Sequence, residues 1–149
     1  MGVRLTPDEQ RQLLAEADVG ILSTLRRDGS PLGLPMWFVV VDDQVCFRTR
    51  ANGRKVARLE RDPRVSFVVD RGAAWAELAA VIVSGRAELA GPDLASRIDA
   101  ALAAKYAGRT PPEHVPERTR AFYDVPTLHY RIVTEHPPLT WDNAKLVGR

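Results

Sequence analysis

Hydrophobic and polar positions follow two periods along this chain, and the changes of period mark its elements. In "LTPDEQRQLLAEA", Leu13, Leu14 and Ala17 fall on one side of a 3.6-residue turn. Thr6 stands at the N-cap, Pro7 at the first helical position, and Glu9 where a capping box needs a carboxylate. These predict a helix within residues 1–18. "VGILSTL" then predicts a strand, "RRDGSP" a hairpin turn at Asp28-Gly29, and "LGLPMWFVVV" a second strand rich in β-branched and aromatic residues. Asp42-Asp43 predicts the next turn. "QVCFRTR" alternates, with Val45, Phe47 and Thr49 on one face and Cys46, Arg48 and Arg50 on the other.

The helical period returns after "ANG". "RKVARLERD" predicts a short helix ended by Pro63. "RVSFVVD" predicts a fourth strand and "WAELAAVIVSGRAELA" a long fifth one, bent at Gly85. After Gly91-Pro92, Leu94, Ile98, Leu102 and Tyr106 recur on one helical face. "AGRTPPEHVPERTR" reads as loop, "TLHYRIVTE" as a last strand, and residues 136–149 as a proline-broken tail. Successive strands with tight turns and few helices predict a mainly β (α+β) antiparallel sheet or barrel in a single domain, residues 1–149. The strand–helix alternation of a doubly wound parallel sheet is missing.

Composition narrows the class. With 149 residues, 45% hydrophobic and 27% charged, the chain is globular and long enough for a core. Cys46 is the one cysteine, so no intrachain disulfide forms, which suits a reducing cytoplasm. The opening lacks the apolar core of a signal peptide and no apolar run approaches spanning length, so a cytoplasmic protein without a membrane partner is predicted. "MGVRLT" fits a loose myristoylation pattern, but the capping role accounts for Thr6 better.

Charge is where the sequence departs from an average globular protein. The net charge is only +2, yet residues 48–64 hold Arg48, Arg50, Arg54, Lys55, Arg58, Arg61 and Arg64 against Glu60 and Asp62. Arg54 and Lys55 open the predicted helix while Glu60 and Asp62 close it, against the helix dipole. An anion at the helix start would reverse that disadvantage, because the first N–H groups lack intrahelical partners. Gly53 leaves room for a close ligand, and Arg54 and Lys55 would add charge-assisted bonds. The alternative is a solvated helix capped by Asn52, with Val56 and Leu59 on the core and Arg54, Arg58 and Arg61 in water. The charge pattern leaves both open.

Other chemistry is sparse. Cys46 reads as a small buried hydrophobe rather than a nucleophile. His114, His129 and His136 lack metal-ligand spacing, so no metal site is predicted. Ser23 is in no nucleophile elbow, and no phosphate-binding or dinucleotide glycine motif occurs. No nucleic-acid-binding motif accompanies the basic segment, so no nucleic-acid partner is predicted. No acid–base pair stands out, and no catalytic residue is assigned.

The hairpin "STLRRDGSP", the strand "PMWFVV", the segment from Thr49 through "GRK" to "DPRVSFVVD", and the ending "YRI…P…WD" occur in an order that resembles the pyridoxamine-phosphate-oxidase-like split β-barrel superfamily. The likeness runs over residues 19–142 and is greatest to its deazaflavin (F-420)/FMN-dependent oxidoreductases, common in actinobacteria. The resemblance implies an FMN-binding split-barrel fold and a homodimer with the cofactor in a groove between protomers. It implies that Arg54 and Lys55, with Thr49 and Arg50, meet the cofactor phosphate beside Gly53. Pro35, Met36, Trp37 and Phe38 would then wall a flat ring. Arg48, Arg50, Arg54, Lys55 and Arg58 would form a track for the acidic tail of F-420, with Trp75 and Trp141 closing the site, even from the other protomer. One departure stands out. Where pyridoxamine oxidases carry an Arg in the second strand this chain has Leu34, with no Lys following. That argues against pyridoxamine oxidase activity and for the deazaflavin branch, to which "P-x-WF" is familiar. The implied function is an F-420H2-dependent reductase passing hydride to a small organic acceptor. An FMN-dependent oxidoreductase is the alternative, and a non-enzymatic binding module a third reading.

Overall fold

Thr6 starts the first helix as its neighbours predict. Its hydroxyl accepts from the Glu9 amide at 3.2 Å, and the Glu9 carboxylate accepts from the Thr6 amide at 2.7 Å. The computed structural model describes residues 3–109 and 114–148. In it, helix α1 (Pro7–Glu16) buries Leu13 and packs Leu14 and Ala17 against the same core.

Strands β1 (Gly20–Leu25) and β2 (Pro31–Met36) form the expected hairpin, with Gly29 at φ 82° in the turn. Strands β3 (Val39–Val41) and β4 (Gln44–Arg50) form the next. Asp42 and Asp43 both have positive φ there, 52° and 60°, a turn whose twist suits paired strands. The second strand expected over "LGLPMWFVVV" is therefore two strands. β2 pairs with β1, and β3 pairs with β4. Between them Phe38 hydrogen-bonds outside the ladder. Its amide donates to the Tyr106 hydroxyl at 3.0 Å, and that hydroxyl faces the carbonyls of Asp18 (2.9 Å) and Phe38 (3.1 Å).

Helix α2 (Arg54–Arg61), β5 (Arg64–Arg71) and β6 (Ala79–Leu89) follow. The fifth strand starts later than predicted, because Trp75–Glu77 winds into a 3-10 turn. Helix α3 (Pro92–Lys105) buries Ile98 and Leu102, and Tyr106 caps it in the interior, as the spacing predicts. The predicted loop contains a short helix, α4 (Glu117–Tyr123), while residues 110–113 of that loop lie outside the described residues. After β7 (Thr127–Val133), the supposed tail supplies an eighth strand, β8 (Leu139–Asp142), and a 3-10 turn, Asn143–Lys145. Thr140 is buried and accepts from the Leu5 amide at 3.0 Å; the Asp142 amide donates to the Val3 carbonyl at 2.7 Å. Four residues between prolines and a turn are too few for periodicity to show.

All pairings are antiparallel, in the order β2-β1-β5-β6-β7-β4-β3, with β8 added to β6. The sheet is curled into a split β-barrel with flanking helices. On one edge β6 takes β8 along residues 79–82 and β7 along 86–89. Gly85 sits at this change of partner. A Cβ there would lie 2.1 Å from the Val133 carbonyl oxygen, so the backbones meet only because the residue is glycine.

Two cores result. Inside the curl, Leu22, Phe38, Phe47, Phe67, Val81 and Ile132 pack with Leu13 of α1 and Leu59 of α2. On the outer face of β3 and β4, α3 sets Ile98, Leu102 and Tyr106 on Val39, Val41 and Cys46. The outer face of β2-β1-β5-β6-β8 has no such cover among the described residues. Pro35, Ile21, Val68, Ile82 and Leu139 align across it in register.

Tyr106→Phe keeps the ring and leaves the buried Phe38 amide unpaired. The expected cost is about 1–3 kcal/mol, read as a lower denaturation midpoint with an unchanged slope.

Candidate functional site

Most cations of the 48–64 segment have partners, and the structure names them. Arg48 Nη1 meets Asp99 Oδ1 at 2.9 Å. Arg50 lies 3.5 Å over the Phe122 ring and donates to the Phe122 carbonyl at 3.1 Å. Arg58 Nε donates to the buried Thr24 hydroxyl at 2.8 Å, so it is half-buried rather than solvated. Arg61 donates to the Leu25 carbonyl at 3.1 Å. Arg64 grips Asp62 at 2.8 Å and holds its carboxyl at about 2.

Two cations are left, Arg54 and Lys55, at the start of α2. Neither joins an ion pair among the described residues. Arg54 is exposed. Lys55 is half-buried, and its ammonium rests against Met36 Sδ, a weak acceptor. Burial lowers its pKa, and the nearby Arg58 and Arg50 lower it further. No acid stands in the first turn, and no side chain caps it. The N-cap is Gly53, not Asn52, and a Cβ on it would point at the Arg50 carbonyl (3.2 Å) and the Thr49 hydroxyl (4.0 Å). Thr49 and Gly53 thus lie close together at the start of α2, where Arg54 and Lys55 also stand. The opposite end of the helix is balanced, contrary to the sequence reading. Arg58 and Arg61 sit in its last turn, and Asp62 belongs to Arg64.

Met36, on which Lys55 rests, also lines a groove of about 400 Å³, with Trp37, Arg48, Asp99, Leu102 and Tyr106 among others. Trp37 is 42% exposed, yet its ring stacks on Tyr106 at 4.1 Å and 1°. The break between β2 and β3 puts it there, where a continuous strand would have pleated it differently. Pro35 is exposed on the outer face of β2. Phe38 is a correction: it is 0% exposed, packed edge-on to Phe67, and offers no wall to a ligand. Trp75 and Trp141 do not line this groove. They sit together elsewhere, Asn143 accepting from the Trp141 indole and donating to the Trp75 carbonyl at 2.7 Å.

Sequence reasoning missed the groove's carboxylate. Asp99 Oδ1 takes both Arg48 and His129 Nε2, the latter at 2.8 Å. Burial raises the Asp99 carboxyl, but the bonds from His129 and Arg48 outweigh it and leave it below its ordinary value. Asp99 stands one position after Ile98 on an apolar helix face, and only the β4–β7 register that sets Arg48 opposite His129 reveals its role. His129 is thus a structural partner, as expected. Cys46 is buried, and burial pushes its thiol up to about 11, which disfavours the thiolate. No group of residues suited to a metal occurs among those described. No described helix is long and apolar enough to cross a membrane.

Residues 6–130 match the pyridoxamine 5'-phosphate oxidase family. The chain belongs to it. No curated protein matches the chain in sequence. Among solved structures of the family's fold, the conserved hypothetical protein Rv2991 of Mycobacterium tuberculosis superposes with a TM-score of 0.80 at 28% identity, over 97% of this chain and 89% of that one. An FAD-binding protein of Mesorhizobium loti superposes at 0.66 and 22% identity, over 90% and 91%. The heme storage protein HutZ of Vibrio cholerae superposes at 0.69 and 16% identity, over 95% and 99%. The last two likenesses are of fold.

Lys55 makes a prediction about stability. Its folded pKa lies below its unfolded one, so its charge works against folding at every pH below the folded value. The penalty is relieved as pH rises through the folded value towards the ordinary lysine range. Lys55→Met should therefore raise the urea midpoint of the ligand-free protein at neutral pH and flatten this alkaline rise.

Proposed function

We propose that the protein is an F-420H2-dependent oxidoreductase, whose cofactor phosphate sits at the start of α2 and whose ring lies along Trp37. The observation that carries the reading is Lys55, a half-buried cation with no anionic partner, beside Arg54, Thr49 and an uncapped helix N-terminus. An anion there meets the helix dipole, free N–H groups and two cations together. F-420 suits the site further because its phosphodiester and glutamate tail are more acidic than FMN, and Arg54 is exposed along that path. When bound, the reduced cofactor supplies a hydride to a small organic acceptor. The chain's own part is to bind and orient. Tyr106 fixes the Trp37 ring by stacking, leaving its other side to a flat partner. Asp99 holds Arg48 at the groove, where its guanidinium can meet an acceptor oxygen or an acidic tail. Leu34 on β2 pairs with Leu22 and puts no guanidinium near the phosphate, so pyridoxamine oxidation is not proposed.

FMN at the same helix start is the second reading. The FAD-binding protein of similar fold from Mesorhizobium loti favours a flavin on this scaffold. The enzyme would work in the cytoplasm.

We further propose that two copies pack through the uncovered outer face. Ile21, Leu139 and Trp141 are exposed there, and Ser23, Ser66 and Ser84 align beside them as a flat row of small side chains. Five strands give a width of about 20–25 Å, enough for the roughly 800 Å² per partner of a standard interface. Trp75 and Trp141 flank this face, so a second copy would bring them towards the site.

Fluorescence titration with F-420, with FMN in parallel, tests the cofactor. Tight F-420 binding is expected, weakened by about tenfold or more in Lys55→Ala and Arg54→Ala, the scale of a charge-assisted hydrogen bond. Unchanged binding in both variants removes the phosphate assignment, and a preference for FMN selects the second reading. Sedimentation should find a dimer that Ile82→Arg converts to monomer; a monomeric wild type removes the interface.

A further inference from the structure

A second and larger groove, of about 810 Å³, opens on the other face of helix α3 and shares no lining residue with the candidate site. Leu14 of α1, Val39 and Val40 of β3, and Ala101, Ala104 and Lys105 of α3 form half of its lining. Its walls are chiefly apolar. Val40 is 37% exposed.

One charge reaches into this apolar setting. The Lys105 ammonium lies 3.8 Å from the centre of the buried Phe38 ring and donates to the Leu14 carbonyl at 3.3 Å. It has no carboxylate within ion-pair distance among the described residues. Asp18, the acid that acts on it, is held by Arg109 at 2.6 Å. Arg11, at the groove's edge, is already paired with Asp8. Lysine carries three donors, and here one meets a carbonyl and one a ring, which leaves one for a ligand. Burial lowers the Lys105 pKa, a cost that an anion would offset. Asp43, the one acid among the lining residues, opposes a second negative charge on whatever binds.

An apolar trough with a single poorly hydrated ammonium matches a molecule with an apolar body and one anionic end. We propose that this groove binds an apolar monocarboxylate of the fatty-acid kind, its carboxylate on Lys105 and its chain along Val39, Val40, Ala101 and Ala104. The site is separate from the cofactor site, and neither proposal depends on the other.

Calorimetric titration of the full chain with decanoate and with decanol tests this. Decanoate is expected to bind saturably and at least about tenfold tighter than decanol, the worth of one charge-assisted bond. Lys105→Met should lose that margin and Lys105→Arg keep most of it. Ala104→Trp, an exposed position that would fill the groove, should abolish decanoate binding and leave the F-420 titration as in the wild type. Equal binding of decanoate and decanol, no saturable binding, or an unaffected Lys105→Met overturns the proposal. So does hydrogen exchange in which Val39 and Val40 become protected with protein concentration alone, because that assigns the groove to a second copy.

Discussion

The Tyr106 hydroxyl sits where the chain leaves one strand and joins another, and the groove is built around that point. The Phe38 amide and carbonyl have no sheet partner there, and an unpaired buried amide is costly. Tyr106 pairs with both and also with Asp18, so one side chain ties α3, the end of the first helix region and the β2–β3 junction together. The stacking of its ring on Trp37 follows from the same placement. The aromatic wall of the candidate site is therefore a consequence of how a backbone break is satisfied.

Electrostatics divides the basic segment into cations with partners and cations without an ion pair among the described residues. Arg48, Arg50, Arg58, Arg61 and Arg64 each have a carboxylate, carbonyl, hydroxyl or ring, and these bonds fasten α2 and β4 to their surroundings. Lys55 is held in a half-buried place where neighbouring cations oppose its charge. A group kept at a cost to the ligand-free fold is the pattern expected of a binding residue rather than a structural one. Lys105 repeats the pattern on the far side of α3, with apolar walls in place of a helix N-terminus.

Membership of the family fixes the fold and leaves the chemistry to the site. Proteins described as FAD-binding and as heme storage share this curled sheet with the chain at 22% and 16% identity. A scaffold that holds such different ligands selects among them through a few side chains. In this chain the ones we propose are the cations at α2, the Trp37–Tyr106 pair, and the carboxylate that binds Arg48.

The sequence by itself determined whatever depends on neighbours along the chain. The capping box at Thr6, the two hairpin turns, the alternation of β4, and the apolar stripe of α3 are local, and each was legible. So was the excess of positive charge at the start of α2. The tertiary structure decided what depends on distant partners. A strand that reads as continuous was cut at Trp37 and Phe38 because β1 and β4 each claim half of it and Tyr106 takes the junction. Residues 139–142 became a strand because the edge of β6 was free to pair with them. Phe38 went to the core and Trp37 to the groove, though they are adjacent and alike in sequence. Asp99 acquired its role from the register that sets Arg48 beside His129. Periodicity records which face a residue shares with its neighbours, but only the packed sheet says what lies opposite that face.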